Sequence, residues 1–504
     1  MNVLTLFVAM LAAVAAGPKD YVTYEEYGAV GDGKHDDQAA IVAAHAAANE
    51  ANLPVKASDD KTYYIGGAKK PAIIRTDTDW GKARFIIDDV KLEDYKSPIF
   101  VVESNLKSYT LDKLQTLKKG QKKLSVKFPQ KSLILVVNKD KKVYIRKGSN
   151  QNNGHSQQEL LLAEKNGKLY ERALPIFDFD KITSCTVFPV DEKTLTVKGG
   201  VFTTIANQFP SKYQYHDRGI NIRRSNVVLE GITHYVTGEL DHGAPYHGFI
   251  STSNVSEIII RNCLLTGHKM YGTIGSAKKP VNMGSYDLSF GTTINLHLEN
   301  ITQTNDINDR TYWGLMGSNY CKDIYMDNCK VSRFDAHQGV ENVTLKNCEF
   351  GHMGVRMVGK GTIYLENCTI NTTSLVSLRS DYGSTWEGNI TVKNCTLRPV
   401  NSKAPGVFIL TGSNTGDHDF GYECMLPNSI YLENVTIDDS AISNPKYNGP
   451  CIFSTFDRDV TKSGLEPYKP TETVVMKNVT VTSGKKIRVS DNAQMFNGLK
   501  LVTM

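Results

Sequence analysis

The chain has 504 residues, 40% of them hydrophobic, a formal net charge of +5 and nine cysteines. That composition supports a large core, and the charge excess is too small for the basic footprint of a nucleic-acid binder. Beyond the N-terminus no apolar run is long enough to cross a bilayer, so neither a nucleic-acid partner nor membrane insertion is expected. Met1 to Ala16 carries LTLFVAMLAAVAA before Gly17-Pro18, which reads as a secretory signal peptide over residues 1–17 and predicts a secreted, extracellular protein. Nine Asn-x-Ser/Thr sequons, at Asn254, Asn300, Asn342, Asn367, Asn371, Asn389, Asn394, Asn434 and Asn478, would accept glycans in that compartment. Strand-rich chains also generate such triplets by chance.

Residues 18–91 read as a cap followed by first strands. A short strand and a tight turn at Gly31-Asp32-Gly33 lead to Asp36 or Asp37 as helix N-cap, with an Ala-rich helix from Gln38 to about Asn52. Such a helix would cover an open sheet edge. The run Tyr27-Gly28-Ala29-Val30-Gly31-Asp32-Gly33, followed by Asp36-Asp37, resembles the opening segment of the pectate-lyase-like right-handed parallel β-helix superfamily. The resemblance implies a fold and says little about a reaction, because the motif is a cap. Ile73 to Val90 reads as the first strands of the solenoid.

Residues 92–193 lack any repeat and predict an inserted lysine-rich β subdomain. Between Lys107 and Lys147 stand twelve lysines and Arg146 against Asp112 and Asp140 alone. That run is either a pad for an acidic polysaccharide or a solvated surface.

Residues 194–504 carry the repeat. Five strand-like phrases close on Asn-Cys, at Asn262-Cys263, Asn328-Cys329, Asn347-Cys348, Asn367-Cys368 and Asn394-Cys395, and three more place Ile301, Val435 and Val479 where Cys would stand. The last four cysteines are spaced by 19, 20 and 27 residues, and the phrases alternate apolar and polar residues. Alternation means strand, and a period this short means a solenoid whose coils bury their apolar faces only by stacking. The expected fold class is all-β: a right-handed parallel β-helix with an N-terminal capping helix and an inserted small β subdomain. Asn and Cys are expected to form internal columns, the column thiols to stay free, and Cys424 and Cys451 to be the better disulfide candidates.

Stacked coils place equal offsets above one another. Eight residues beyond the column position lie Tyr271, Asp309, His337 and Arg356, with Arg379 or Asp381 in the next, longer coil. Arg333 and Asp335 share the His337 face by alternation, and Tyr312, Trp313, Tyr382 and Trp386 offer rings for sugars. The predicted catalytic group is therefore Asp335, His337, Arg356, Asp309 and Arg379. Tyr271, Tyr312, Trp313, Arg333, Asp381, Tyr382 and Trp386 are expected to bind substrate. The run Arg333-Phe334-Asp335-Ala336-His337-Gln338 is similar, at Phe334, Asp335 and His337, to the signature of mannuronan 5-epimerases. Ser332, Arg333, Ala336 and Gln338 depart from that signature.

Removing the proton at carbon-5 of a uronate needs a base and a cation on the carboxylate, which His337, Tyr271, Arg356 and Arg379 would supply. Glycoside hydrolysis instead needs two carboxylates about 5–5.5 or 6.5–9.5 Å apart, for which Asp309, Asp335 and Asp381 are candidates. The expectation is a polysaccharide lyase or glycoside hydrolase acting on an acidic polysaccharide, the alternative a non-catalytic glycan-binding or adhesive β-helix. No metal or other cofactor is assigned, and the sequence sets no oligomeric state.

Overall fold

A computed structural model describes residues 20–67, 70–413, 419–456 and 468–504. The expected signal peptide lies outside the described residues.

Alternating apolar residues dictate the architecture. Twenty-nine strands hydrogen-bond in parallel into one continuous sheet that coils into a right-handed β-helix. Register is preserved from coil to coil, so Ile258, Leu296, Ile324, Val343, Ile363, Ile390, Ile430 and Val474 superimpose in one inward column. Each is essentially fully buried, a gain of about 1.5–3 kcal/mol per side chain that exists only when the next coil is present. Cys329, Cys348, Cys368 and Cys395 follow one another in a second buried column, which Ile301 links to Cys263. All of these thiols are free.

The Asn residues are not internal as expected. Asn262, Asn300, Asn328, Asn347, Asn367, Asn394, Asn434 and Asn478 are exposed, and all sit at φ between +50° and +56°. Asn tolerates this left-handed conformation better than any other residue with a side chain apart from Asp. It turns the chain there so that the Cys one residue later points inward. The amides bond up the stack: Asn434 Nδ2 donates to Asn394 Oδ1 at 2.9 Å and Asn478 Nδ2 to Asn434 Oδ1 at 2.8 Å. Beside them runs a ladder of opposite charges, with Lys346–Glu366 at 3.0 Å, Lys393–Glu433 at 3.2 Å and Lys477–Glu433 at 2.8 Å. Cys424 and Cys451, expected as the better disulfide pair, are also free, Cys424 lying on the strand beside Tyr468 and Cys451 on the solenoid strand beside Phe408.

Helix Gln38–Ala51 lays Ile41, Ala44, His45 and Ala48 on the first coils, where the His45 ring meets Tyr24 OH at 3.0 Å. Asp37 occupies the N-cap position but its carboxylate turns back to accept Val30 N at 2.7 Å and Gly31 N at 3.2 Å. Asp36 Oδ1 takes the first helical amide, that of Gln38, at 3.1 Å.

Strands Tyr109–Thr110, Ser132–Val143, His155–Ala163 and Ser184–Pro189 form a separate antiparallel sheet. It docks on the outside of the solenoid through a buried ion pair, Lys322 Nζ to Glu159 Oε1 at 2.6 Å, and through Tyr170 and Arg172, each 2.6 Å from Asp323. Several lysines of the basic run serve this docking: Lys131 pairs with Glu257 at 2.5 Å and Lys119 with Glu387. The docked sheet walls one side of the solenoid's outer face.

The exposed Asn ladder makes a specific expectation. Asn434→Ala loses two ladder bonds and forces Ala into a left-handed conformation, about 1–3 kcal/mol in all. Asn434→Gly relieves the backbone part. Thermal unfolding should therefore rank wild type above Gly above Ala, whereas equal midpoints would remove the ladder from the account.

Candidate functional site

Strand Lys330–Gln338 alternates in the usual way. Phe334 and Ala336 enter the core, while Arg333, Asp335 and His337 face outward. They nonetheless meet protein: Trp313 closes over Arg333, whose guanidinium lies 4.8 Å from the indole centre, and the docked sheet brings Tyr144 and Arg146 from the other side. The result is a cleft of about 710 Å³ whose lining includes Arg146, Trp313, Arg333, His337, Arg356 and Arg379.

Asp335 forms its base. It is fully buried, pairs with Arg333, accepts Arg379 Nη1 at 2.6 Å, and receives Tyr286 OH at 3.3 Å. Burial alone would raise its pKa, but the two guanidiniums outweigh burial and hold it well below the carboxylate range. Arg379 also reaches Asp381 Oδ2 at 2.9 Å, and Arg146 grips the same oxygen at 2.8 Å. Asp381 is depressed for the same reason. Both carboxylates are thus ionised and engaged.

His337 is held from two sides. Its Nδ1 lies 3.2 Å from Asn319 Oδ1, so Nδ1–H donates and Nε2 keeps its lone pair. Its ring meets Tyr382 edge-on at 5.3 Å. Burial, with Arg379 next, pushes its pKa down to about 3, and the imidazole is neutral at physiological pH. Arg356 differs from its neighbours. Among the described residues its guanidinium has no carboxylate partner within ion-pair distance, and it faces the cleft. The desolvating walls and Arg333 bring its pKa down to about 10, leaving it cationic.

The cleft thus unites His337, Arg356, Arg379, Arg333, Asp381 and Trp313 of the predicted set, with Asp335 beneath. Within the cleft the equal-offset count misplaces Arg356. Asp335, not His337, is the register partner of Arg356. The strand Glu349–Met357 carries two extra residues, with Val331 opposite Phe350 but Arg333 opposite Gly354. Gly354 absorbs the bulge at φ +60°.

The remaining predicted residues lie elsewhere. Tyr271 is buried in a hairpin with Pro280–Met283. Asp309 closes a local turn on Thr311 at 2.9 and 2.8 Å, and Tyr312 bridges to Lys269. Trp386 is wholly in the core and Tyr382 is 1% exposed behind His337, so neither has a free face for a sugar ring. Sequence reasoning missed Lys96, Asn150, Tyr213, Tyr215, Tyr286 and Asn319 in the lining. Lys96, Asn150, Tyr213 and Tyr215 come from loops, while Tyr286 and Asn319 lie on the solenoid strands Tyr286–Glu299 and Met316–Asn319, at positions no repeat offset marks. Among the described residues no group of three or more His, Cys, Asp or Glu is placed to hold a metal, and no helix is long and apolar enough to cross a membrane.

The chain matches no protein-family profile and no curated protein. Among solved structures it is similar to the tailspike protein gp49 of Pseudomonas phage LKA1, at 13% identity and TM-score 0.56 over 95% of this chain and 84% of that one. It is also similar to the gp54 tailspike of Acinetobacter baumannii bacteriophage AP22, solved with an A. baumannii capsular saccharide, at 12% identity and TM-score 0.54 over 95% and 79%. These likenesses are in fold alone, and that fold is a parallel β-helix.

Three measurements check the electrostatics. Asp335→Asn leaves two buried guanidiniums without their shared counter-charge and should cost about 3–5 kcal/mol of stability, read as a fall in the unfolding midpoint. The His337 pKa is depressed from an ordinary value near 6.5, so its contribution to stability is full above that pH and declines as pH falls towards 3. His337→Gln should flatten part of the acid limb, and NMR should show the imidazole neutral at pH 5. A His337 resonance titrating near 6.5 would contradict the site as described.

Proposed function

We propose that this protein binds an acidic polysaccharide in the arginine-lined cleft and cleaves it by β-elimination at a uronate. The observation that carries the reading is Arg356: a cation with no carboxylate partner among the described residues, facing the cleft beside an imidazole whose Nε2 is free. A uronate carboxylate supplies the missing partner bidentately. Neutralising that carboxylate acidifies the carbon-5 proton, which His337 Nε2 accepts; the carbon-4–oxygen bond breaks with its electron pair going to the leaving oxygen, which takes a proton from solvent water, and a carbon-4–carbon-5 double bond forms. The bound carboxylate also favours the imidazolium and so offsets the depressed His337 pKa. Trp313, half-exposed at the cleft, offers a ring face to a sugar.

Hydrolysis fits less well, since Asp335 is buried and Asp381 is shared by two arginines, so neither offers a protonated acid. The same engaged carboxylates favour a second reading, recognition without cleavage. The saccharide bound by the AP22 tailspike is in keeping with a sugar-binding β-helix of either kind.

Incubation with uronate-containing polysaccharides separates the readings. Elimination produces ultraviolet-absorbing unsaturated uronate, hydrolysis produces reducing ends without that absorbance, and pure binding produces neither while retarding the protein in polysaccharide-containing gels. Elimination is expected, with Arg356→Ala slowing it about 10²–10³-fold and His337→Ala abolishing most of the remainder. Retarded protein with no product would leave only the binding reading, and no interaction with any acidic polysaccharide would refute both.

A further inference from the structure

A second cleft of about 590 Å³ adjoins the first and shares Lys96, His247, Ser289 and Asn319 with it. The two are one groove along the solenoid axis, because the outward column beneath them is continuous. Asn221 stands opposite Ser251, Ser251 opposite Ser289, and Ser289 opposite Gly317. Ser318 pairs with Ala336, which sets Gly317 beside Asp335, and Asp335 stands opposite Arg356. Gly317 is small for a reason: a Cβ there would lie 3.2 Å from the Tyr286 ring that roofs it.

The charge along this column is uneven. The Arg356 end gathers Arg146, Arg333, Arg356 and Arg379 against two carboxylates. The floor of the extension is Ser251, Ser253, Ser289, Gly291 and Asn319, all small and neutral. The Lys96 ammonium there is paired with Asp217 at 3.2 Å, which also holds His247 at 3.1 Å. At the far end Arg223 is exposed, its Nε donating to Asn221 Oδ1 at 3.1 Å, and has no carboxylate within ion-pair distance among the described residues. It lies one coil beyond Ser253 and five strand spacings from Arg356, about 24 Å along the axis.

From this geometry, and resting on the proposed acidic-polysaccharide reading, we infer that the substrate is a heteropolysaccharide whose acidic sugars are separated by several neutral ones. Arg356 takes one acid, Arg223 the next, and the Ser–Gly–Asn floor takes the neutral sugars between them. A homopolyuronate would lay unpaired carboxylates along a floor that offers hydroxyls and amides but no free cation, at a desolvation cost for each.

The test uses deacylated gellan, with one glucuronate per repeat of otherwise neutral sugars, against polygalacturonate, in affinity electrophoresis of the whole protein. Gellan should bind at least about tenfold more tightly. Arg223→Ala should weaken gellan binding about tenfold, the loss of one charge-assisted contact, and Arg223→Lys should restore most of it. Ser253→Trp, at an exposed position, should block the extension with an unchanged unfolding midpoint. Equal or tighter polygalacturonate binding, or gellan binding indifferent to Arg223→Ala and Ser253→Trp, would overturn this inference and leave the acidic-polysaccharide reading intact. Binding of neither polymer, with Arg356→Ala without effect on any acidic glycan, would overturn the reading beneath it.

Discussion

Everything in this molecule depends on coils stacking in register. No coil buries its own apolar face, so each must superimpose its aliphatic residues on those of the next, as Ile324, Val343 and Ile363 do. Once that is enforced inside, it is enforced outside. Outward residues at equal positions are carried into columns whether or not their chemistry agrees, and each column then solves its own problem. The Asn column satisfies its amides by bonding up the stack, the charged column alternates sign, and the cysteines lie as small buried hydrophobes. The groove column is left without an internal solution at Arg356, whose guanidinium faces the cleft before the column runs on to Ser377 and Thr411.

That cleft owes its character to a second element. A bare outward face of a β-helix is solvated, and its charges are screened. Here the docked antiparallel sheet, pinned by Lys322–Glu159 and by Arg146–Asp381, adds a wall that removes water from His337, while Arg356 stays exposed at the cleft. The depressed His337 pKa follows from that burial and from Arg379 beside it. Asp335 underneath orients Arg333 and Arg379 rather than acting on a ligand, since it is fully buried and its oxygens are already taken. The lysine-rich run is divided between these roles: some side chains hold the sheet in place, and others remain in solvent.

The fold was legible because its signal is periodic. Asn-Cys closing each strand states where a coil turns, and the left-handed Asn explains why that residue recurs. Its exposure was not legible, since an αL corner and a buried polar ladder write the same letters. The site was legible in part. Alternation placed Arg333, Asp335 and His337 together, but two residues at the Gly354 bulge shifted Arg356 from His337 to Asp335. Trp386 and Tyr382 carried ring chemistry in the sequence but spent it on packing, and Tyr271 and Asp309 left the stack in loops. The second wall, with Arg146 and Asn150, comes from an insertion whose docking no local pattern encodes.

An acidic sugar is expected to bind on the outward column that carries Arg356. A crystal structure of the protein soaked with an oligosaccharide containing glucuronate tests it directly. The account predicts a sugar carboxylate in bidentate contact with Arg356, its ring near His337 and Trp313, and the chain running towards Ser289 and Ser251. Sugar bound on the Asn-ladder face, or in the cleft with its carboxylate turned away from Arg356, would contradict it.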